Sequence, residues 1–309
     1  MNKILEIQDL SHRYAVDWAI RDICLEIDQK GVVGLLGSNG AGKSTTMNII
    51  CGVLHQTQGE VLLNGIDIRK DPTEAKRYLG FLPQKAPLHP DLSVDEYLYH
   101  CADIRQIPHN QISQALKMAK EKCGIADKGY RLIKHLSGGY QQRVGIAQAI
   151  IHNPPFVVLD EPTNGLDPNQ ILEVRKLIRE IAEERAVLLS THILSEVQAI
   201  CDRIEMIEHG QMVFSGSIQE FHDYTAPSTL LVIMGQAPED EKLLQISGIR
   251  RIERLTAKRL RIHFSGELSA DTLIQQMIET AVACEWQLSE IYAEKESLDT
   301  IFAKLSKCE

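Results

Sequence analysis

Lys43 and Ser44 close a run of small residues, GSNGAGKST at 37–45, whose spacing fits G-x-x-x-x-G-K-[ST] through Gly37, Gly42, Lys43 and Ser44. Glycines let the backbone N–H groups of Gly37, Ser38, Asn39, Gly40, Ala41 and Gly42 converge on phosphate oxygens without a side chain in the way. Lys43 then neutralises β- and γ-phosphates, the Ser44 hydroxyl ligates Mg²⁺, and Thr45 completes the run. A second pair of groups ends FVVLDE at 156–161. Asp160 falls at the carboxyl end of a buried-type strand, where it can hold Mg²⁺ through a water, and Glu161 is placed to polarise an attacking water as general base. An Asp-Glu pair after a strand can also merely cap the next helix. Pro162 directly behind it and the glycine run upstream favour the metal and base roles. Together the two motifs describe a nucleoside triphosphatase. A third stretch, LSGGYQQR at 136–143, is a second anion turn: Ser137, Gly138 and Gly139 lead into a helix-forming run and bare their amides at its start.

The elements around these residues have the periodicities needed to position them. ILEIQDL and AIRDICLEID alternate as antiparallel strands, and VVGLLG (32–37) is apolar throughout, as a buried parallel strand should be. A helix is predicted from about Lys43. GEVLLNGIDI predicts a hairpin turning at Asn64-Gly65, and YLGFLPQ (78–84) a further strand. Two helices are expected over 93–123, the first opened by a Ser93–Glu96 capping box with Val94, Tyr97, Leu98 and Cys101 on one stripe. AVLLST (186–191) is another buried-type strand, ILEVRKLIREIAEE a helix before it, and RIEMIEHGQMVFSG a hairpin turning at His209-Gly210.

The chain has 309 residues, enough for a large α/β domain plus a smaller one. Composition shifts at DYTAPST, so the expected division is 1–222, a linker at 223–229, and a C-terminal domain at 230–309. The last part reads β-α-β-β-α-β plus a final helix (SLDTIFAKL), a small ferredoxin-like α+β arrangement. A net charge of −9 argues against non-specific nucleic-acid binding. Seven cysteines, an odd number with no CxxC pair, predict reduced and mostly buried thiols, with neither a disulfide framework nor a structural metal. No run approaches the roughly 18 apolar residues of a membrane span, and the first residues lack the apolar core of a leader. The expectation is a cytoplasmic protein that reaches a membrane through a partner.

LSGGYQQR just before FVVLDEP, with GLD after it and a P-loop upstream, resembles the ATP-binding cassette (ABC) ATPases over about residues 3–220. The resemblance implies a P-loop cassette with an antiparallel β subdomain and a helical subdomain at about 88–150, binding ATP and Mg²⁺. It implies that Gln84 contacts metal and attacking water, that His192 in LLSTHIL contacts the γ-phosphate, that Asp167 is the aspartate of the loop after the metal carboxylate, and that Tyr14 stacks on adenine. It also answers what the second anion turn holds. In this family Ser137, Gly138 and Gly139 face the γ-phosphate on a second cassette, so two ATPs are sandwiched head to tail and this chain needs a copy of itself or a homologue. Alone, each of these residues has an ordinary reading: Gln84 as solvated, His192 as a cap, Tyr14 as packing.

Three kinds of ABC protein fit a cassette. Chromosome and repair ATPases insert a long coiled coil, but only roughly 90 residues without sustained heptads separate P-loop from LSGG here. Translation factors carry two P-loops, and this chain has one. The expected reading is therefore a transporter subunit driving a separate permease, with those soluble ATPases as the alternative. APLHPDLSVDEYLYHCADIRQI after Gln84 resembles exporters with ABC-2-type permeases. GLDPNQILEVRKLI, THILSEVQAICDRI and ESLDTIFAKL resemble the gliding-motility-associated and antibiotic-efflux branch. The C-terminal domain is expected to be accessory or regulatory. Its cations Arg250, Arg251, Arg254, Lys258, Arg259 and Arg261 cluster around the expected hairpin, and in RLRIHF the charges alternate with Leu260, Ile262 and Phe264, which suits a solvated sheet face better than a docking patch for a second copy or for anionic lipid.

Overall fold

The computed structural model describes residues 3–224, 229–265, 269–294 and 298–305. Two compact units divide at 218/219. The first is built on two sheets. Leu5–Tyr14 (β1) and Asp17–Ile27 (β2) form an antiparallel pair, joined by Gln58–Leu63 (β4) and Ile66–Asp67 (β5) in the order β2-β1-β4-β5. The turn between β4 and β5 is Asn64-Gly65, with both residues at positive φ as a tight hairpin of this hand requires.

Between β2 and β4 lie Gly31–Leu36 (β3) and Lys43–Ile50 (α1); Pro72–Ala75 (α2) and Leu79–Leu82 (β6) follow β5. Val94–Ile104 (α3), His109–Lys122 (α4) and Gly138–Ile150 (α5) are the main helices before Phe156–Asp160 (β7). Then come Pro168–Ala182 (α6), Ala186–Thr191 (β8), Leu194–Ile200 (α7), Arg203–Glu208 (β9), Gln211–Ser217 (β10) and, at the division, Ile218–His222 (α8). The second sheet has the order β10-β9-β3-β8-β7-β6, in which every pair is parallel except β9–β10. Strands β7 and β8 are buried at every residue, which explains their unbroken apolar sequences. Helix α1 puts Met47, Ile49 and Ile50 into a core shared by both sheets, with Leu5, Ile7, Phe156 and Leu188. Burying a side chain such as Phe156 contributes about 1.5–3 kcal/mol.

The capping box is present: Ser93 Oγ accepts the Glu96 N–H, and Glu96 accepts the Ser93 N–H at 2.8 Å. The buried stripe of α3 is Val94, Tyr97, Leu98 and Ala102, whereas Cys101 is only half-buried. Cysteine burial is also less complete than expected. Cys51, Cys123 and Cys201 are buried, Cys24 and Cys284 are exposed, and Cys308 lies outside the described residues. The polar position of Cys24 on the outer edge strand β2 is what lets it face solvent.

The second unit contains Thr229–Met234 (β11), Asp240–Leu244 (α9), Ile249–Arg254 (β12), Arg259–Phe264 (β13), Ala270–Ala283 (α10), Leu288–Glu294 (β14) and Leu298–Leu305 (α11). Its sheet is antiparallel in the order β12-β13-β11-β14. Most of the expected linker, 225–228, lies outside the described residues. Along β13 Leu260, Ile262 and Phe264 point into the core and the basic residues point out. Arg261 forms a bidentate pair with Glu294 at 2.6 and 2.8 Å, and Arg254 donates to Asp240 at 2.8 Å. Two cations of the cluster therefore serve the domain's own carboxylates.

Candidate functional site

Strands β3, β8, β7 and β6 are neighbours and run the same way, so their carboxyl ends line one sheet edge. That edge receives the glycine loop from β3, Asp160 and Glu161 from β7, His192 after β8, and Gln84 after β6. The sheet order therefore gathers residues 37–45, 84, 160–161 and 192 at the position where open α/β sheets bind ligands.

The loop itself allows no other residue at two positions. A Cβ on Gly37 would lie 2.2 Å from the Ile207 carbonyl oxygen, and one on Gly42 would lie 2.5 Å from Ile20, with φ already at +112°. The glycine loop before α1 is thus pressed between β2 and β9. Lys43 is buried, and its Nζ donates to the carbonyls of Gly37 and Ser38 at 2.8 and 2.9 Å. Burial lowers its pKa, while Glu161, Glu208 and Asp160 pull it back up. An ammonium held by loop carbonyls and facing three carboxylates suits a phosphate-binding cation. Ser38 is engaged differently from its neighbours: its N–H and hydroxyl both donate to Glu208, at 2.7 and 2.6 Å. Glu208, buried at the end of β9, fixes the start of the loop.

Asp160 and Glu161 are adjacent but point to different surroundings. Asp160 is 6% exposed and accepts a short hydrogen bond from Ser190 Oγ. Burial pushes its pKa up and the charge of Glu161 adds to this, against the pull of Ser190 and Lys43. Glu161 is in the left-handed region at φ +46°, which costs about 1–2 kcal/mol for such a residue. Its N–H donates to Ser190 Oγ at 3.1 Å, which holds the kink. The kink turns the side chain to where three donors meet it: Gln84 Nε2 at 2.8 Å, Asn164 Nδ2 at 3.1 Å and His192 Nδ1 at 3.0 Å. Because the acceptor is a carboxylate, Nδ1 carries the proton, and Nε2 is the ring nitrogen left for a ligand.

The remaining expected residues stand apart from this group. Tyr14 ends β1, is 53% exposed as a residue, and meets His12 edge-on. Asp167 caps α6, accepting the Gln170 N–H at 3.0 Å. Ser137 is the N-cap residue of α5 with no side-chain capping bond; Gly138 is exposed, and a Cβ on Gly139 would press on Gln170 at 2.8 Å. Among the described residues no hydrogen bond or ion pair joins this turn to the P-loop. Ser190, Asn164 and Glu208 were not evident as site residues in the sequence. Only the proximity of Asn164 to Glu161 was a signal, since the other two come from strands far along the chain.

Buried Asp160, exposed Ser44 at the helix start and nearby Lys43 fit a Mg²⁺-bound phosphate chain, because an isolated ionised carboxylate is costly there without a cation. The sign of the pKa shift gives a test. A raised value means the folded chain binds more protons than the unfolded one between the ordinary carboxylate value and the raised one, so stability is lost as pH rises through that window. Asp160→Asn keeps an acceptor for Ser190, so it is expected to raise the Tm of the nucleotide-free protein at pH 7. That gain should shrink as pH falls. Turnover should drop by about 100-fold or more, since metal-held charge stabilisation is worth several kcal/mol. Scanning calorimetry and phosphate release measure the two effects; an unchanged Tm would mean that Asp160 carries no burial penalty.

Residues 20–164 match the family model described as ABC transporter. ABC transporter ATP-binding protein NatA of Bacillus subtilis (strain 168) is 32% identical over 226 residues, covering 71% of this chain and 92% of NatA. Linearmycin resistance ATP-binding protein LnrL of the same organism is 26% identical over 309 residues, covering 98% of each chain. Among solved structures, cbiO1 from Clostridium perfringens, described as part of the ABC transporter complex cbiONQ, superimposes with a TM-score of 0.66 at 28% identity, covering 71% of this chain and 90% of that one.

Proposed function

The chain belongs to the ABC transporter family as an ATP-hydrolysing subunit, and from that premise we propose that it powers an export permease by ATP-driven pairing of two copies. The observation that carries this reading is the separation of the two anion sites. Loop amides, Lys43, Asp160, Glu161, Gln84 and His192 share one sheet edge, while the exposed turn at Ser137–Gly138 has no bond to them. A helix N-terminus aimed at solvent with bare amides suits a phosphate presented by another molecule.

In the proposed cycle the loop amides and Lys43 hold the phosphate chain of ATP, and Tyr14 packs on the base. Ser44, Asp160 and Gln84 are the residues that would hold Mg²⁺, which supplies charge neutralisation at the phosphates. Glu161 takes the proton of the attacking water; Gln84, Asn164 and His192 keep its carboxylate oriented by donating to it. The Ser137–Gly139 turn and Asp167 of the second copy complete the pocket. ATP then joins two protomers, and hydrolysis releases them.

For the membrane partner we propose an ABC-2-type permease, which would place the subunit on the inner face of the cell membrane. Among the described residues no helix is long and apolar enough to cross a membrane. A groove among α3, α4 and β6 is lined by Phe81, Tyr97, Cys101, Ile104 and Met118 together with cations such as Lys76 and Arg105, and Ile104 and Met118 are more than half exposed. It can receive an apolar helix from a permease. The name of LnrL, a resistance protein, supports export as the direction. Phosphate release measured over a dilution series tests the pairing. The rate per protomer is expected to rise with protein concentration below the dimer dissociation constant. A rate per protomer that stays constant down to high dilution would overturn the shared pocket.

A further inference from the structure

Pairing between β7 and β8 ends at Asp160 and Ser190, just before the loops that carry Glu161 and His192. Besides the direct Glu161–His192 contact, a buried carboxylate bonds residues that flank both. Glu196, on α7, is 1% exposed. Its Oε1 accepts from Thr163 Oγ1, two residues after Glu161, and its Oε2 accepts from Thr191 Oγ1 at 2.8 Å, one residue before His192. Arg175 of α6 lies 3.4 Å from Oε1 and balances the charge. The Ile193 N–H donates to Thr191 Oγ1 at 3.0 Å, so the His192 loop is held on both sides of the histidine.

A buried carboxylate is expensive compared with an apolar side chain of similar volume, and it persists where it fixes one geometry. Here its two oxygens meet two different loops, whose functional side chains touch 3.0 Å apart through Glu161 and His192. An apolar residue could fill the space but would not set their register. We propose that Glu196 is a positioning residue for ATP hydrolysis: it ties Thr163 to Thr191 and thereby holds Glu161 and His192 at their working separation. The proposal rests on the catalytic reading of Glu161 and His192.

The experiment measures single-turnover rates, KM for MgATP and Tm on the full-length protein carrying Glu196→Gln, Thr163→Val or Thr191→Val, each alone and with His192→Ala. Glu196→Gln is expected to slow the hydrolytic step about tenfold with KM within about twofold of the parent, because geometry at the reacting water changes and ground-state binding does not. Both valines, which keep the threonine shape, are expected to act in the same direction. In the His192→Ala background all three should lose their effect on rate, because groups acting as a unit are not additive. A role confined to folding would lower Tm but leave the rate per folded protein unchanged, and that result overturns the proposal. So does a full tenfold effect that persists in the His192→Ala background. If Glu196→Gln fails to fold, the valine pair decides by the same criteria. If His192→Ala alone leaves the rate at the parent value, the catalytic reading of His192 fails, and Glu196 loses its role with it.

Discussion

Replacing Glu161 with Gln is expected to lower turnover by about 10²–10⁴-fold while ATP binding survives, the range for losing a positioned general base. The substitution keeps size but removes the charge and one acceptor oxygen. Three donors now converge on that side chain, from Gln84, Asn164 and His192. A carboxamide can accept from some of them but turns its own NH₂ toward another, so a water beside it is neither polarised nor held. The geometry of the phosphate loop is set elsewhere: Lys43 and the loop amides are held by Gly37, Gly42 and Glu208. ATP should therefore bind and stay, and association should outlast it. Sedimentation of Glu161→Gln with saturating MgATP is expected to show a dimer that ADP returns to monomer. Persistent monomer at saturating ATP would remove association from the cycle, and turnover near the parent rate would remove Glu161 as the base.

The parts of the structure that could be read from the sequence are those specified within a few residues. The strand, glycine loop and helix from β3 to α1, the Asn64-Gly65 turn and the Ser93–Glu96 capping box all depend on neighbours in the chain. The buried strands β7 and β8 could be read because burial on both faces removes alternation. Contacts over long separations could not. Glu208 binds Ser38 from 170 residues away, and Ser190 reaches Asp160 from 30. Helix α7 was also missed, since no side chain caps its N-terminus and the usual start signal is missing. Ala102 completes the α3 stripe instead of Cys101 because a helix advances by 3.6 residues per turn, and a position four after Leu98 sits more squarely over the core than one three after it. The kink at Glu161 follows from none of these patterns. It is held by Ser190, and only the folded sheet brings Ser190 there.

A mixture of two disabled variants should recover activity that neither has alone. Lys43→Ala removes the ammonium that faces the phosphates, and Ser137→Arg fills the exposed turn at the start of α5 with a side chain. As homodimers both are expected to be nearly inactive. In a mixed dimer the intact P-loop of the Ser137→Arg protomer faces the intact turn of the Lys43→Ala protomer, so one of the two pockets is whole. Random pairing of equal amounts makes half the dimers mixed, and a head-to-tail arrangement then predicts about a quarter of parental turnover. If each chain used its own turn, every pocket in the mixture would carry one defect and phosphate release would stay at the near-zero level of the two variants alone. The substitutions touch different elements, α1 and α5, so recovery cannot come from repair of a misfolded loop. The recovered fraction should fall as the mixture is diluted below the dimer dissociation constant, because the working pocket exists only while the two copies are joined.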